Sequence, residues 1–354
     1  MALNSILLLC IFSCSHPNEV VSQIPEQVER YTLPNGMIID VYTPLGVSSE
    51  QSYPLLIIND GEVVFNQTSW NLTSKLNMLI ETNEIEPVIT VAIHTNGNRN
   101  DWYIPYLDSW IIQNWGHYTP SSKEYATAIF EIVIPFIKKQ YKIEESRIGI
   151  MGASLGGLLS TWIGIHYPEH IRYSASLSGS FWVNDYQIFK EVDSIENLDQ
   201  KFWFDIGTKE WNYYVPFYRA LDEQGLEPGI QNFYYEVPDA RHTDADWVKR
   251  IHLPLKLFYG TNPESVPESM EVHLECIPSQ SVPGRKFRRL NPVVTLTNGV
   301  RFSLAHKATY ELESGEVQFG SEGSLLNNPD IESKILITYK ELSDNLTIPV
   351  NWCR

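Results

Sequence analysis

Short apolar runs alternate with amphipathic segments along the first three quarters of the chain. Seven runs have the length of strands that are buried on both faces, at residues 37–41, 55–59, 88–93, 147–151, 173–177, 202–206 and 233–237. Helical spacing occurs between them at residues 122–139, 155–166, 215–223 and 244–258. Strands that alternate with helices are typical of α/β proteins, so the pattern predicts a mostly parallel sheet with helices on both faces.

The pattern changes after a proline-rich stretch that ends at Pro267. β-branched runs then follow at residues 292–296, 334–338 and 347–350, and turn-forming sequences such as Asn-Gly and Asn-Asn-Pro separate them. Little of this region has helical spacing. We therefore predict an α/β domain at residues 21–262, a linker at 263–267 and a small antiparallel β domain, organised as a sandwich, at 268–354.

The composition and the net charge of the chain exclude some classes of binding partner. The 354 residues are 43% hydrophobic and 19% charged, which is typical of a globular protein with a sizeable core. The formal net charge is −17. Because phosphate binding needs clustered lysine and arginine, this charge argues against nucleic acid as a partner. It also disfavours a strongly anionic substrate, unless a local basic spot overrides the average.

The first 20 residues have the features of an export signal. An apolar run at residues 6–12 is too short to span a bilayer, which takes roughly 20 residues, but it fits the hydrophobic part of such a signal. The four residues that end at Cys14 resemble a bacterial lipoprotein box, in which the cysteine receives a lipid. We expect an exported protein that a lipid on Cys14 anchors to a membrane, in the periplasm or on the outer surface of a bacterium, and otherwise a secreted one.

Two cysteines, Cys276 and Cys353, lie beyond the predicted signal, near the start and the end of the β region. They suit one disulfide in an oxidising compartment, and two unrelated thiols are an equal alternative. Neither a Cys-x-x-Cys motif nor histidine-rich spacing indicates a zinc site. We expect neither a metal nor an organic cofactor.

The segment around Ser154 carries the clearest chemistry. A predicted buried strand at 147–151 runs into Gly152-Ala-Ser-Leu-Gly156, and a predicted helix follows at once. This strand–turn–helix setting is what a G-x-S-x-G nucleophile elbow requires, because the glycines permit close backbone approach around a strained serine. We predict an α/β-hydrolase fold with Ser154 as the nucleophile. The backbone N–H of Leu155, at the helix start, is then a donor to an oxyanion.

A base should follow the last strand of such a fold, because the chain order is serine, acid, histidine. His242 opens the loop after the strand at 233–237, which makes it the predicted base. His252 falls inside the last predicted helix, and His273 and His306 belong to the β region, so they are poorer candidates. A surface loop histidine without a catalytic role is the competing interpretation of His242.

The acid should leave the preceding strand. Glu210 lies in the loop beyond Gly207, free to reach the Nδ1 atom of His242, and is the favoured acid. Asp205 lies within the strand itself and is a weaker candidate, as are Asp239 and Asp244. A second oxyanion donor is expected in the loop after the strand at 55–59, from the backbone N–H of Gly61 or Glu62.

Five motifs in this order resemble the putative esterase family, which includes enterobactin, feruloyl and acetyl-xylan esterases, S-formylglutathione hydrolase and mycolyltransferases. They are Asn59-Asp-Gly-Glu62, Gly152-Ala-Ser-Leu-Gly-Gly157, Ser178-Gly-Ser-Phe-Trp182, Gly207-Thr-Lys-Glu210, and His242 with Trp247. The resemblance covers roughly residues 30–260, and it implies a serine hydrolase with Ser154, Glu210 and His242 at the matching positions. Ala240 and Arg241 depart from the glycines that usually precede the histidine.

An aromatic-rich loop follows the strand at 88–93. With two later tryptophans it could wall a cleft for an aryl or sugar-linked acyl group, and packing of the loop against its own rings is an equal alternative. The expected substrate-binding residues are Arg99, Trp102, Tyr103, Trp182 and Trp211. Arg99 either holds a substrate anion or braces Asp101 or Asp108.

We interpret the chain as a serine carboxylic ester hydrolase that acts through an acyl-enzyme on a small-molecule or glycan-linked ester. Siderophore, feruloyl and acetylated-sugar esters are the candidate substrates. An acyltransferase of the same fold is the second interpretation. A non-catalytic surface binding protein on a hydrolase scaffold is the third, because the β domain has no assigned role.

Overall fold

Apolar side chains on both faces of the central strands fix the architecture. The computed structural model describes residues 25, 27–195, 198–210, 213–278 and 286–353. Cys14 and Trp211 therefore lie outside the described residues. Eight strands form one sheet: β1 Val28–Thr32, β2 Ile38–Tyr42, β3 Ser52–Ile58, β4 Ile89–Ile93, β5 Lys142–Ala153, β6 Tyr173–Leu177, β7 Lys201–Gly207 and β8 Asn232–Val237.

The spatial order of the strands is β1-β2-β4-β3-β5-β6-β7-β8. β1 and β2 pair antiparallel with their neighbours, and the strands from β4 to β8 run parallel. The predicted α/β fold with a mostly parallel sheet is confirmed. The sequence pattern missed β1, whose residues are largely exposed because it lies at the edge of the sheet.

Helices cover both faces of this sheet. They are α1 Gly61–Val64, α2 Leu72–Glu81, α3 Arg99–Tyr103, α4 Ser109–Trp115, α5 Ser122–Ala128, α6 Ile134–Lys138, α7 Leu155–His166, α8 Val183–Tyr186, α9 Val215–Glu223, α10 Asp244–Arg250 and α11 His252–Tyr259. A π-helical turn, Ile129–Val133, joins α5 to α6, and 3₁₀ segments lie at Gln187–Ser194, Ala305–Lys307 and Ser321–Gly323.

The last predicted helix, 244–258, is divided in two. Pro254 has no N–H group to donate to the carbonyl four residues earlier, which belongs to Arg250. α10 ends at Arg250 and α11 begins at His252. This break matters for the site, because it leaves Arg250 at the end of a helix that starts two residues after His242.

The C-terminal region forms two three-stranded antiparallel sheets. The first contains β9 Pro267–Pro278, β10 Lys286–Leu296 and β11 Arg301–Ser303, in the order β11-β10-β9. The second contains β12 Thr309–Ser314, β13 Ser333–Tyr339 and β14 Leu342–Ile348, in chain order. A disulfide joins Cys276 of β9 to Cys353. The predicted small antiparallel β domain is confirmed.

One apolar cluster continues from the central sheet into the β domain. Leu56 and Phe233 of the sheet belong to the same cluster as Val293, Phe302 and Ile337 of the β domain. The rings of Phe233 and Phe302 are 5.4 Å apart and lie edge to face. The two parts of the chain therefore share a core.

A buried group of charges lies within this junction. Arg289 of β10 contacts Glu236 of β8 through Nη2, at 2.6 Å from Oε2, and Glu275 of β9 through Nε, at 2.8 Å from Oε2. The Tyr234 hydroxyl donates to Glu236 Oε1 at 2.5 Å, and the Asn291 amide donates to Glu275 Oε1 at 2.7 Å. One guanidinium thus serves two buried carboxyl groups.

This arrangement makes stability dependent on pH. Burial raises the pKa of Glu236 from 4.5 to about 8, while Arg289 opposes the rise and Glu275 adds to it. Between these two values the folded chain binds more protons than the unfolded chain does. The stabilisation from protonated Glu236 is therefore complete below about pH 4.5, and it is lost as the pH rises through about 8.

We expect Glu236→Gln to remove this dependence, because an amide cannot ionise. Relative to the variant, the wild-type urea midpoint should fall as the pH is raised from about 5 to about 9. The exposed Glu341→Gln is the matched control and should follow the wild type. Parallel curves for wild type and Glu236→Gln would contradict the assignment.

Candidate active site

Four parallel strands end at one edge of the sheet, where ligands bind in open α/β folds. The Asn59–Asp60 turn follows β3, Ser154 follows β5, Glu210 follows β7 by three residues, and His242 follows β8 by five. Residues that are far apart in the sequence therefore meet in one place.

Ser154 lies on a strained turn between β5 and α7. Its backbone has φ 57° and ψ −122°, a region that L-residues rarely adopt. A Cβ atom at Gly152 would approach the carbonyl of Gly156 to 2.4 Å, and one at Gly156 would lie 3.0 Å from Asp60 Oδ2. The glycines at these two positions thus let the strand, the helix and the Asp60 loop approach one another around the serine.

The structure brings Ser154, His242 and Glu210 together. His242 Nε2 is 2.9 Å from Ser154 Oγ, and His242 Nδ1 is 2.7 Å from Glu210 Oε2. Glu210 is buried, whereas the His242 side chain is 44% exposed. This is the geometry in which a carboxylate orients an imidazole and the imidazole accepts the serine proton.

The weaker candidates for the acid are engaged elsewhere. Asp205 is fully buried and pairs with Arg250, with its Oδ1 atom 3.0 Å from Nε and 2.9 Å from Nη2. Burial raises the pKa of Asp205, and the Arg250 guanidinium opposes that rise. Asp239 is exposed and contacts Lys209, and Asp244 accepts a hydrogen bond from Trp70 Nε1.

Two helix starts flank Ser154. Leu155 is the first residue of α7, and Gly61 is the first residue of α1. The first N–H groups of a helix have no partner inside the helix, so both starts present donors. A Cβ atom at Gly61 would lie 2.8 Å from the His94 ring and from the Ile93 backbone, so only glycine fits at this position.

The Glu62 carboxylate connects α1 to the end of β4. It accepts hydrogen bonds from the backbone N–H and the hydroxyl of Thr95, each at 2.7 Å.

The structure corrects two of the expected substrate contacts. Arg99 pairs with Asp60, at 2.6 Å from Nε to Oδ1 and 3.0 Å from Nη2 to Oδ2, and not with Asp101 or Asp108. Tyr103 is fully buried, and its hydroxyl accepts from the Asp60 N–H at 2.8 Å. Both side chains therefore brace the Asp60 turn. Trp102 is partly buried and packs against Tyr125, with ring centroids 5.0 Å apart.

Trp182 belongs to an aromatic group that we call the tryptophan cluster, formed by Trp110, Trp115 and Trp182. Their rings lie edge to face, with centroids 5.6 to 5.8 Å apart. Trp110 is 54% exposed and Trp115 is 48% exposed. Asp108 fixes the cluster in place, because it caps α4 through the Ile111 N–H and accepts from the Asn184 N–H at 2.6 Å.

Ser180 connects the segment that carries Trp182 to the serine. The Ser180 hydroxyl is 3.3 Å from Ser154 Oγ, and the backbone N–H of Ser180 donates to the Ser154 carbonyl at 2.9 Å. Trp182 is only two residues further along the chain. The sequence pattern indicated no individual role for Ser180, although its place just after β6, at the carboxyl edge of the sheet, was a usable signal.

Neither a metal site nor a membrane-spanning helix occurs in the described part of the chain. Within those ranges, no group of three or more histidine, cysteine, aspartate or glutamate side chains is placed to hold a metal ion. None of the helices described is both long and apolar enough to cross a membrane.

The fold and the Ser154–His242–Glu210 geometry define an α/β-hydrolase. Residues 31–252 match the family model described as "Putative esterase". The chain therefore belongs to this family of ester hydrolases, and the resemblance found in the sequence is confirmed.

Individual curated proteins and solved structures are similar to parts of this chain. The uncharacterized protein YbbA of Bacillus subtilis is 24% identical over 173 residues, which cover 48% of this chain and 67% of YbbA. An iron(III) enterobactin esterase of Escherichia coli (strain CFT073) is 24% identical over 168 residues, which cover 47% of this chain and only 37% of that enzyme. The sinapinate complex of a Clostridium thermocellum feruloyl esterase module superposes with a TM-score of 0.52 at 19% identity, over 65% of this chain and 86% of the module.

Proposed function

We propose that the protein is a serine carboxylic ester hydrolase that works through an acyl-enzyme. The continuous hydrogen-bonded arrangement of Ser154, His242 and Glu210 carries this proposal. His242 takes the Ser154 proton as Oγ attacks the ester carbonyl, and Glu210 stabilises the imidazolium. Collapse of the tetrahedral intermediate expels the alcohol, which receives the proton from His242.

Water completes the reaction. His242 removes a proton from a water molecule that attacks the acyl carbonyl, and the acid leaves as Ser154 regains its proton. The N–H groups of Leu155 and of Gly61 or Glu62 would stabilise both oxyanions. The His242 side chain is 44% exposed, so water from the solvent can reach the imidazole.

Covalent labelling tests the nucleophile directly. A fluorophosphonate should label the folded wild type at one site per chain, and peptide mapping should place the label on Ser154. The heat-denatured protein is the control and should not react. A folded wild type that resists labelling would refute the proposed function and favour the binding-protein interpretation.

For the substrate, we propose esters of aromatic carboxylic acids. Trp182 of the tryptophan cluster follows Ser180, which contacts Ser154, by two residues, and the exposed rings of the cluster can contact an aryl acyl group in edge-to-face or stacked geometry. The names of the similar proteins point the same way, since sinapinate and feruloyl groups are aromatic acyl groups.

We expect the Trp110→Ala/Trp115→Ala double variant to lose affinity for aryl esters selectively. The KM for methyl ferulate should rise about tenfold, the equivalent of about 1.4 kcal/mol of ring contact. The KM for p-nitrophenyl acetate, whose acyl group has no ring, should change less than about twofold. Trp162→Phe, in a partly buried ring further along α7, is the matched control. An equal change for both esters would exclude the tryptophan cluster as the acyl site.

We also propose that the protein is exported and lipidated on Cys14. The Cys276–Cys353 disulfide supports export, because structural disulfides persist in oxidising compartments. Labelled palmitate should be incorporated by the wild-type chain and not by Cys14→Ser. Incorporation by the variant would refute the lipid site.

A further inference from the structure

Ser178 lies at the centre of a buried hydrogen-bonded group behind Glu210. Its hydroxyl is 2.6 Å from Glu210 Oε1, 2.9 Å from Trp247 Nε1 and 2.5 Å from Arg250 Nη2. Ser178, Glu210 and Arg250 are each buried. The mechanism described above does not use Ser178, Trp247 or Arg250.

The chemistry of the partners fixes the direction of every one of these bonds. Arginine and tryptophan side chains have N–H donors and no acceptor, so the Ser178 oxygen must accept from both. Its only hydrogen is then left for Glu210. The Gly207 N–H donates to the same Oε1 atom at 2.8 Å, and Oε2 receives His242 Nδ1. The two oxygens of the acid therefore have separate tasks.

The backbone of Ser178 is held in an unfavourable conformation to make this possible. Its φ is 48°, in the left-handed region that favours glycine. Its N–H donates to the Asp205 carbonyl at 3.1 Å and lies 3.0 Å from Asp205 Oδ1. Asp205 in turn fixes Arg250. Strained residues persist where the surroundings overdetermine them, which occurs often at functional sites.

We propose that Ser178, with its hydroxyl polarised by Arg250, is a positioning residue that fixes Oε1 of Glu210 and, by drawing on the charge of that carboxylate, weakens the basicity of His242. This inference rests on the proposed function, in which His242 is the base. Because Arg250 and the Ser178 hydroxyl draw on the negative charge of Glu210, that carboxylate attracts protonated His242 less strongly.

The charged and titratable groups around this pair can be named. Glu210 faces His242, the Arg250 guanidinium at 3.8 Å and the Tyr214 hydroxyl, which donates to the Gly179 carbonyl. His242 contacts Glu210 and Ser154, and its ring meets the edge of Trp247 at 5.0 Å. Asp205 balances the charge of Arg250.

Ser178→Ala removes the hydroxyl and leaves the Asp205–Arg250 pair intact. The titration of His242, followed by NMR of the labelled imidazole, should move to higher pH by about one unit. The acid limb of the kcat/KM profile for p-nitrophenyl acetate should move by the same amount. Ser178→Gly should give the same shift, although it relieves the backbone strain. Ser176→Ala is the matched control, in a buried serine two residues earlier, and should titrate as the wild type does.

An unchanged His242 titration in both Ser178 variants would overturn the proposal. A shift to lower pH would overturn it as well, because loss of the charge withdrawal raises the basicity of His242. The NMR titration does not depend on turnover, so it decides this role even for an inactive chain. Failure of the proposed function would instead appear in the wild type, as a folded protein that a fluorophosphonate does not label.

Discussion

Replacing Ser154 by alanine should lower kcat/KM for p-nitrophenyl acetate by at least about 10⁴-fold. The acyl-enzyme cannot form without Oγ, and the remaining oxyanion donors supply only residual catalysis. The measurement is a steady-state assay at high enzyme concentration, with fluorophosphonate labelling in parallel. Ser176→Ala, in a buried serine of β6, is the matched control and should keep most of the activity. A Ser154→Ala enzyme with a tenth of wild-type activity would mean that another group is the nucleophile.

A second substitution at the same position tests the strain. Glycine in place of alanine ordinarily destabilises an ordered segment by about 0.5–1 kcal/mol. At φ 57° and ψ −122° the alanine Cβ is itself unfavourable, by about 1–3 kcal/mol. Ser154→Gly should therefore be at least as stable to urea as Ser154→Ala, and both should be inactive. A clearly less stable glycine variant would show that the turn does not strain its side chain.

The sequence allowed much of this site to be predicted because the signals were local. The G-x-S-x-G motif between a strand and a helix located Ser154, and the ends of β7 and β8 located Glu210 and His242. The choice of Glu210 over Asp205 rested on position alone, and the structure places the Glu210 carboxylate against His242.

Two features of the site were not predicted, because they depend on contacts between residues that are distant in the sequence. Ser178 and Arg250 are 72 positions apart, and they meet only because Arg250, at the end of α10, packs behind the end of β6 in the folded chain. The partner of Arg99 was missed for a related reason. Asp101 and Asp108 are near it in the chain, but the fold places Asp60 beside it, from a loop 39 residues earlier.

The β domain illustrates the same limit at a larger scale. The predicted β-branched runs fall in β10 and β13 and at the end of β14, while β9, β11 and β12 were not predicted. The attachment of the β domain to the central sheet was not predictable, because the buried polar residues that join them lie on three different strands. These residues are Glu236, Glu275 and Arg289. A polar residue in an apolar run has no evident partner until the two sheets meet.

Replacing Arg289 by methionine should therefore destabilise the protein by about 3–5 kcal/mol, because two buried carboxyl groups lose the guanidinium that contacts both of them. Equilibrium unfolding in urea should show a large fall in the midpoint. Arg172→Met is the matched control. Its partner Asp199 is 80% exposed, and pairs of this kind contribute at most about 1 kcal/mol.

The destabilisation of Arg289→Met should come from leaving two buried carboxyl groups without their guanidinium partner and not from the loss of the ion pairs as such. Adding Glu236→Gln and Glu275→Gln to Arg289→Met should restore much of the midpoint, because neither buried group can then ionise and both can keep the hydrogen bonds from Tyr234 and Asn291. Since β8 leads directly to the His242 loop, the single variant should also lose esterase activity at lower urea than the wild type, and the triple variant should regain it. If the triple variant were as unstable as Arg289→Met, packing of the arginine against Tyr213, whose ring centroid lies 4.8 Å away, would be its main contribution.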